Sequence, residues 1–190
     1  MVTSVLHNGE KKQFVFSWFG EDSVEEAHEI ILEGDGSEAD VYGLFYGHDS
    51  QKYVNNVRVV HKGKDTRANV FACGVAIDKS FIDFSGMLRV EHGAKRTRTF
   101  FRANLMILSQ QAAAHTFPGL EIEENDILQG GHAATVGKVN EEQMFYLMSR
   151  GLDETTSKRL VIRGFFEPVL SHIDASESEV LRGKLDSYLG

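Results

Sequence analysis

Cysteine and proline are scarce in these 190 residues: one Cys, Cys73, and two Pro. A single thiol excludes an internal disulfide. With no Cys-x-x-Cys pair the chain cannot build a zinc knuckle or a ferredoxin-type cluster from its own residues. Positive charge is also short, with 20 Lys and Arg against 28 Asp and Glu and a formal net charge of −8. That balance excludes a dominant nucleic-acid surface, which needs a strong basic footprint. No apolar run approaches the roughly 20 residues of a membrane span, and the start Met1-Val-Thr-Ser-Val-Leu-His7 lacks the apolar stretch of a signal peptide. The expectation is a cytoplasmic protein with no nucleic-acid and no membrane partner. Linear enzyme signatures are missing as well: there is no Gly-x-x-x-x-Gly-Lys-Ser/Thr loop, no Gly-x-Ser-x-Gly elbow and no His-Glu-x-x-His. The chain is therefore not expected to hydrolyse ATP by itself.

What is plentiful is glycine, 18 residues of it, which suits many tight turns between strands. Short runs of β-branched and aromatic residues recur from Gln13–Phe19 to Leu120–Glu123. Turn signals separate them at Gly47–Ser50, Gly63–Asp65, Asp83–Gly86 and His92–Gly93. An internal repeat narrows the choice of fold. Shifted by 31 positions, Arg58–Ile77 falls on Arg89–Leu108, with identities at His61/His92, Thr66/Thr97, Arg67/Arg98 and Ala72/Ala103. Upstream, Ala39-Asp-Val-Tyr42 resembles Ala68-Asn-Val-Phe71. Self-similarity at this period is a mark of stacked coils. It predicts a mainly β protein, a solenoid in which one repeat is about two coils, with two hairpins of a sandwich as the alternative.

Near Gly137 the period changes from strand to helix, which divides the chain into a 1–137 core and a 138–190 helical segment. Asn140 and Gln143 read as a capping box, for a helix burying Met144, Phe145, Leu147 and Met148 and stopping at Gly151. Asp153 reads as the cap of a second helix, with Leu160, Val161, Phe165 and Phe166 apolar and Pro168 limiting its length. Ser176 and Glu179 read as a second capping box for a last helix with Val180, Leu181, Leu185, Tyr188 and Leu189 on one face.

Few residues suggest chemistry. Glu121, Glu123, Glu124 and Asp126 read as the solvated side of an alternating strand rather than a cation site. The basic run Lys95-Arg-Thr-Arg98 reads as a solvated turn rather than a phosphate site. His61 and His92, equivalent in the repeat, read as a stacked side-chain ladder rather than a metal pair. Cys73, inside an apolar run, reads as a buried inert thiol rather than a sulfur carrier. His132 stands out because it follows Gly130-Gly131, where the last coil passes into the helical segment.

The stretch Gly130-Gly-His-Ala-Ala-Thr-Val-Gly-Lys-Val-Asn-Glu-Glu-Gln-Met-Phe-Tyr-Leu-Met-Ser-Arg-Gly-Leu152 resembles the C-terminal signature of the SufB/SufD family of iron–sulfur cluster assembly scaffolds. Asp40–Tyr46, Arg89–Thr97 and Leu160–Phe166 agree with it. The resemblance implies a right-handed parallel β-helix followed by α-helices. It implies a non-enzymatic subunit that pairs with another SufB/SufD-type core and docks a SufC-type ABC ATPase through its C-terminal helices, with Tyr146, Arg150 and Arg163 as partner-binding residues. His132 matches a histidine that, in SufD, lies at the core–core interface and is implicated in cluster assembly. Where SufB has a glutamate after that histidine, this chain has Ala133. Where SufB has an essential cysteine on the preceding strand, this chain has Phe101-Arg-Ala-Asn104. The likeness is therefore closer to SufD. No cofactor is expected to be held stably by this chain alone; a transient Fe–S cluster belongs to the complex, and a flavin is left open. In isolation a homodimer is expected. Family members carry more coils and a further N-terminal helical region, so the chain is expected to be a compact homologue or a fragment. A β-helix enzyme acting on polysaccharide and a self-associating structural protein are the alternative functions.

Overall fold

Side-chain alternation and the short turns between strands wind the chain into a coil. The computed structural model describes residues 1–20 and 22–189. Eleven strands come first: β1 (Val2–Leu6), β2 (Lys11–Phe19), β3 (Val24–Leu32), β4 (Glu38–Gly47), β5 (Lys52–His61), β6 (Arg67–Ala76), β7 (Phe81–Val90), β8 (Arg98–Ile107), β9 (Ala113–His115), β10 (Pro118–Ile122) and β11 (Gln129–Lys138). Three helices follow: α1 (Glu141–Ser149), α2 (Glu154–Leu170) and α3 (Ala175–Leu189). One sheet runs β1-β3-β5-β7-β10, with β9 also on β7; the other, sheet two, runs β2-β4-β6-β8-β11. Every pairing is parallel. This is a parallel β-solenoid of about five turns.

Each turn of the coil contains two strands, so the repeat seen in the sequence is one coil, not two. Its length grows along the stack. Partners are 26 residues apart from β1 to β3 (Val2 with His28), 29 from β5 to β7 (Lys52 with Phe81), and 31 from β6 to β8 (Arg67 with Arg98). The segment before β8 is two residues longer than the one before β6, which explains the change from 29 to 31. A 31-residue shift is therefore right for β6 and β8 and two residues out for β5 and β7. Because side chains alternate with a period of two, that error keeps every residue on its proper face. The Ala39–Tyr42 copy is in register with Ala68–Phe71.

Most corners turn on one left-handed residue, and the longer corner before β8 has two, Gly93 and Arg96. Gly9, Gly36, Asp65 and Arg96 occupy successive copies of one corner with φ between 55° and 69°. Asp65 and Arg96 adopt this conformation despite its cost to a residue with a Cβ, and their side chains pair with each other. Inside the coil, the rings of Trp18, Phe45, Phe84 and Phe101 follow one another at centroid distances of 5.1, 5.4 and 5.5 Å. Thr66 and Thr97 stack with their hydroxyl oxygens 3.0 Å apart.

Sheet two is apolar on its outer side too. Phe19, Leu44, Tyr46, Cys73 and Val75 form a second cluster with Val161, Ile162, Phe166, Val169 and Leu185 of the helices. α2 lies on β4 and β6, and α3 contacts β2. Burying a side chain such as Phe166 fully contributes about 1.5–3 kcal/mol, so this layer fastens the helices to the coil. The change of period falls between Lys138, the end of β11, and Glu141, the start of α1.

Several sequence expectations need correction. β1, β9 and β11 are strands that the sequence did not mark, and Asp83–Gly86 lies within β7 rather than in a turn. α2 continues to Leu170, two residues past Pro168. α3 starts at Ala175, with the Ser178 N–H bonded to the Asp174 carbonyl, so Ser176 lies inside the helix and is not its cap. Phe145 and Met148 are exposed rather than buried, and the apolar Leu160, Val180 and Tyr188 are exposed too. The caps at Asn140 and Asp153 form: Asn140 Oδ1 accepts from the N–H groups of Glu142 and Gln143, and Asp153 Oδ1 from that of Thr156. Gly151 takes φ +94°.

Candidate functional site

Two surfaces are incomplete as they stand: the end of the coil at β11, and the outer side of α1.

β11 pairs with β8 along its whole length, and among the described residues no strand pairs with its other edge. Successive residues of a strand face opposite sides. His132 is the register partner of Phe101, a fully buried core residue. His132 therefore stands on the core side of a strand that no further coil covers. It is exposed, and its ring makes no hydrogen bond to another described residue. Val136 on the same side is exposed, as are Ile122, Leu128 and Phe117 around the last coil. Gly131 faces the other way, and a Cβ there would sit 3.0 Å from the Phe100 ring. The glycine lets Phe100 lie flat against the edge strand. Long unprotected edges with apolar surroundings are templates for pairing with another sheet.

α1 has no buried residue; it lies beside α2, with Met144 and Leu147 half-buried against the second cluster. Phe145 is 74% exposed and Tyr146 56%. The Arg150 guanidinium lies 5.1 Å from the centre of the Tyr146 ring, an arrangement that fixes both side chains at the surface. Large exposed aromatics beside an arginine are the usual anchors of a protein interface. Arg163 is placed apart from this pair. It bonds Asp186 at 2.6 Å across the α2–α3 groove, so Tyr146 and Arg150 are brought together and Arg163 is not.

The remaining sequence candidates are placed as follows. Glu121 and Glu123 approach the Arg89 guanidinium, Glu123 at 2.8 Å, so the acid row is occupied by a cation of the chain itself. Glu124 accepts the Gly93 N–H at 2.9 Å and closes a turn. In the basic run, Arg96 pairs with Asp65, Thr97 is buried, and Arg98 points outward from β8. His61 and His92 do not stack. His61 pairs with Val90 and is fully buried, whereas His92 projects from a turn into solvent. The two-residue lengthening of the coil separates them. Burial pushes the His61 pKa down to about 3, which keeps the ring neutral. Its Nδ1 is 2.8 Å from Thr66 Oγ1, and Nε2 has no partner. Cys73 is buried between sheet two and the helices, opposite Asn104. Burial raises its pKa to about 12. Among the described residues no group of three or more His, Cys, Asp or Glu is placed to hold a metal ion. Also among them, no helix is long and apolar enough to cross a membrane.

Comparison with known proteins puts these surfaces in context. Residues 4–165 match the family described as SUF system FeS cluster assembly, SufBD core domain. The iron–sulfur cluster assembly protein SufD of Bacillus subtilis is 34% identical over 142 residues, 75% of this chain and 32% of that protein. An iron–sulfur cluster assembly SufBD family protein of Mycobacterium bovis is 32% identical over 151 residues, 76% of this chain and 38% of that protein. A SufBD family protein of Mycobacterium tuberculosis is 30% identical over 144 residues, again 76% of this chain but 17% of that protein. The matched stretch thus spans well under half of each of these relatives.

Proposed function

The chain belongs to the SufB/SufD family of SUF iron–sulfur cluster assembly proteins, and from that premise we propose that it is a non-enzymatic scaffold subunit which couples an ATPase to a paired β-helix core. The observation that carries the proposal is α1. A nine-residue helix with no buried residue and two exposed aromatics rests on the fold only through half-buried Met144 and Leu147, turns its aromatics away from it, and is joined through α2 to the outer side of sheet two. It is a handle, and its occupant is a SufC-type ABC ATPase. Phe145, Tyr146 and Arg150 make the grip, with Arg163 at its margin. The open edge of β11 takes the second core, either a SufB/SufD-type subunit or, in isolation, another copy of this chain.

In this arrangement nucleotide-driven movement of the ATPase pulls on α1. The packed layer beneath α2 passes the strain to β4 and β6, and the junction at β11 is where it is released. His132 lies on the core side of that junction. Its imidazole would ligate iron of the nascent cluster or carry a proton there. The cluster is cargo, and Cys73 has no part in receiving sulfur. The working compartment is the reducing cytoplasm.

Co-expression with the SufC-type ATPase of the same genome tests the grip. The ATPase co-purifies with the wild type, and Phe145→Asp with Tyr146→Ala reduces capture by about tenfold or more. Both side chains are exposed, so the melting temperature stays within a few degrees of the wild type. Equal capture by the double variant, or none by the wild type, removes the handle.

A further inference from the structure

The outer side of sheet two carries its charges in rows across the strands. Register aligns Glu38, Arg67, Arg98 and Gln129 in one row, and Tyr42, Phe71, Arg102 and Ala133 in another. On the early strands these charges are matched. Arg67 bonds Glu38 and Asp40, each at 2.8 Å, and Lys11 bonds Glu38 at 2.7 Å. On β8 they are not. Arg98 and Arg102 are exposed, four residues apart on one side of the strand, and among the described residues neither has a carboxylate within ion-pair distance. The Arg102 guanidinium lies 5.6 Å from the ring centres of both Phe71 and Phe100. Stacking of this kind orients the guanidinium and leaves its N–H rim open to an oxyanion. Two unmatched arginines on one side of a strand, about 13 Å apart, are unexpected in a chain of net charge −8.

Among the described strands only β11 lies beyond β8, and its residues on this side are Gln129, Gly131, Ala133, Thr135 and Gly137. None is charged, and Gly131 and Ala133 form a low shelf. A strand added to β11 would run about 10 Å from β8, two strand spacings away. An arginine and a glutamate extended toward each other across Ala133 span that gap, with Arg102 turning from the Phe71 ring on the β6 side toward β11.

We infer that Arg98 and Arg102 select the core that pairs with β11: the partner is a strand bearing carboxylates on the helix-covered side of its sheet, in preference to a second copy of this chain. A second copy brings the same uncharged edge and two more arginines, so its junction leaves four cations unmatched. The inference rests on the reading that cores pair through β11, and deepens it by assigning the partner's chemistry.

The test measures two dissociation constants by sedimentation, at low and at moderate salt. One is for this chain with the SufB/SufD-type subunit of the same genome, the other for this chain with itself. Wild type, Arg98→Gln with Arg102→Gln, and Val136→Asp are compared, and thermal melts confirm that the exposed substitutions leave the fold intact. The double Gln variant is expected to weaken the mixed pair about tenfold and to flatten its salt dependence, while self-association is unchanged or tighter. Val136→Asp puts a charge on the core side of β11 and is expected to break both. If Val136→Asp breaks the mixed pair and the double Gln variant leaves it unchanged, the charge selection is wrong and core pairing stands. If Val136→Asp leaves the mixed pair intact, or the wild type forms none, the pairing reading fails and the selection with it.

Discussion

At His61 an imidazole is enclosed by core side chains, with one ring nitrogen bonded to Thr66 and the other bare. The unfolded chain binds a proton there near pH 6.5, and the folded chain holds it off until about pH 3. Between these values the unfolded state carries more protons, so stability falls as pH drops, by up to about 1.4 kcal/mol per pH unit from this one group. Urea unfolding of wild type and His61→Gln at pH 7 and pH 5 checks this. The difference in stability between the two proteins should shrink or reverse toward pH 5, and a pH-independent difference would contradict it. Cys73 is the second enclosed group. With its pKa raised to about 12 by burial, almost no thiolate forms at neutral pH, and the thiolate is the reactive species. Iodoacetamide should label Cys73 in urea and leave it unlabelled in the native protein over the same interval, as read by intact mass. Rapid native labelling would reopen a sulfur-carrying role. The residue scale was readable where interactions are local. Asn140, Asp153 and Gly151 act within a turn of where they stand, whereas whether His61 and His92 stack depended on the length of the corner between β7 and β8, one coil on from His61.

Elements were readable where one side is buried and the other is not. β5 and β8 alternate clearly, and β4 and β6 do so in their first halves, before the helices cover their outer side. β11 does not, because both sides of an edge strand see solvent, and its Gly-Gly-His-Ala-Ala-Thr-Val-Gly sequence carries no core pattern. α1 shows the opposite error. Its apolar residues have helical period, and period alone cannot tell a core face from a docking face. Met144 and Leu147 are half-buried against the rest of the protein, while Phe145, Tyr146 and Met148 look outward. The misplaced residues are therefore the ones on which the proposed ATPase grip depends, and the resemblance to the SufB/SufD family pointed to that helix when periodicity did not. The candidate site itself was only partly visible: His132 was singled out from its glycines, but the unmatched Arg98 and Arg102 appear only when register places them beside an open edge.

For the whole molecule, the solenoid was legible from a repeat whose period survives small changes of coil length, since an even shift preserves alternation. What the sequence left unread was how the helices attach. The Phe19, Leu44 and Val75 side of sheet two is as apolar as its inner side, and α2 and α3 cover it. Handle, sheet and open edge thus form one connected body, which is the property a scaffold needs in order to turn nucleotide turnover at one end into a change at the other. The most direct measurement is steady-state ATP hydrolysis by the SufC-type ATPase of the same genome, with and without saturating amounts of this protein. The account predicts a several-fold rise in turnover that Phe145→Asp with Tyr146→Ala abolishes. Turnover unaffected by the wild-type protein would contradict it.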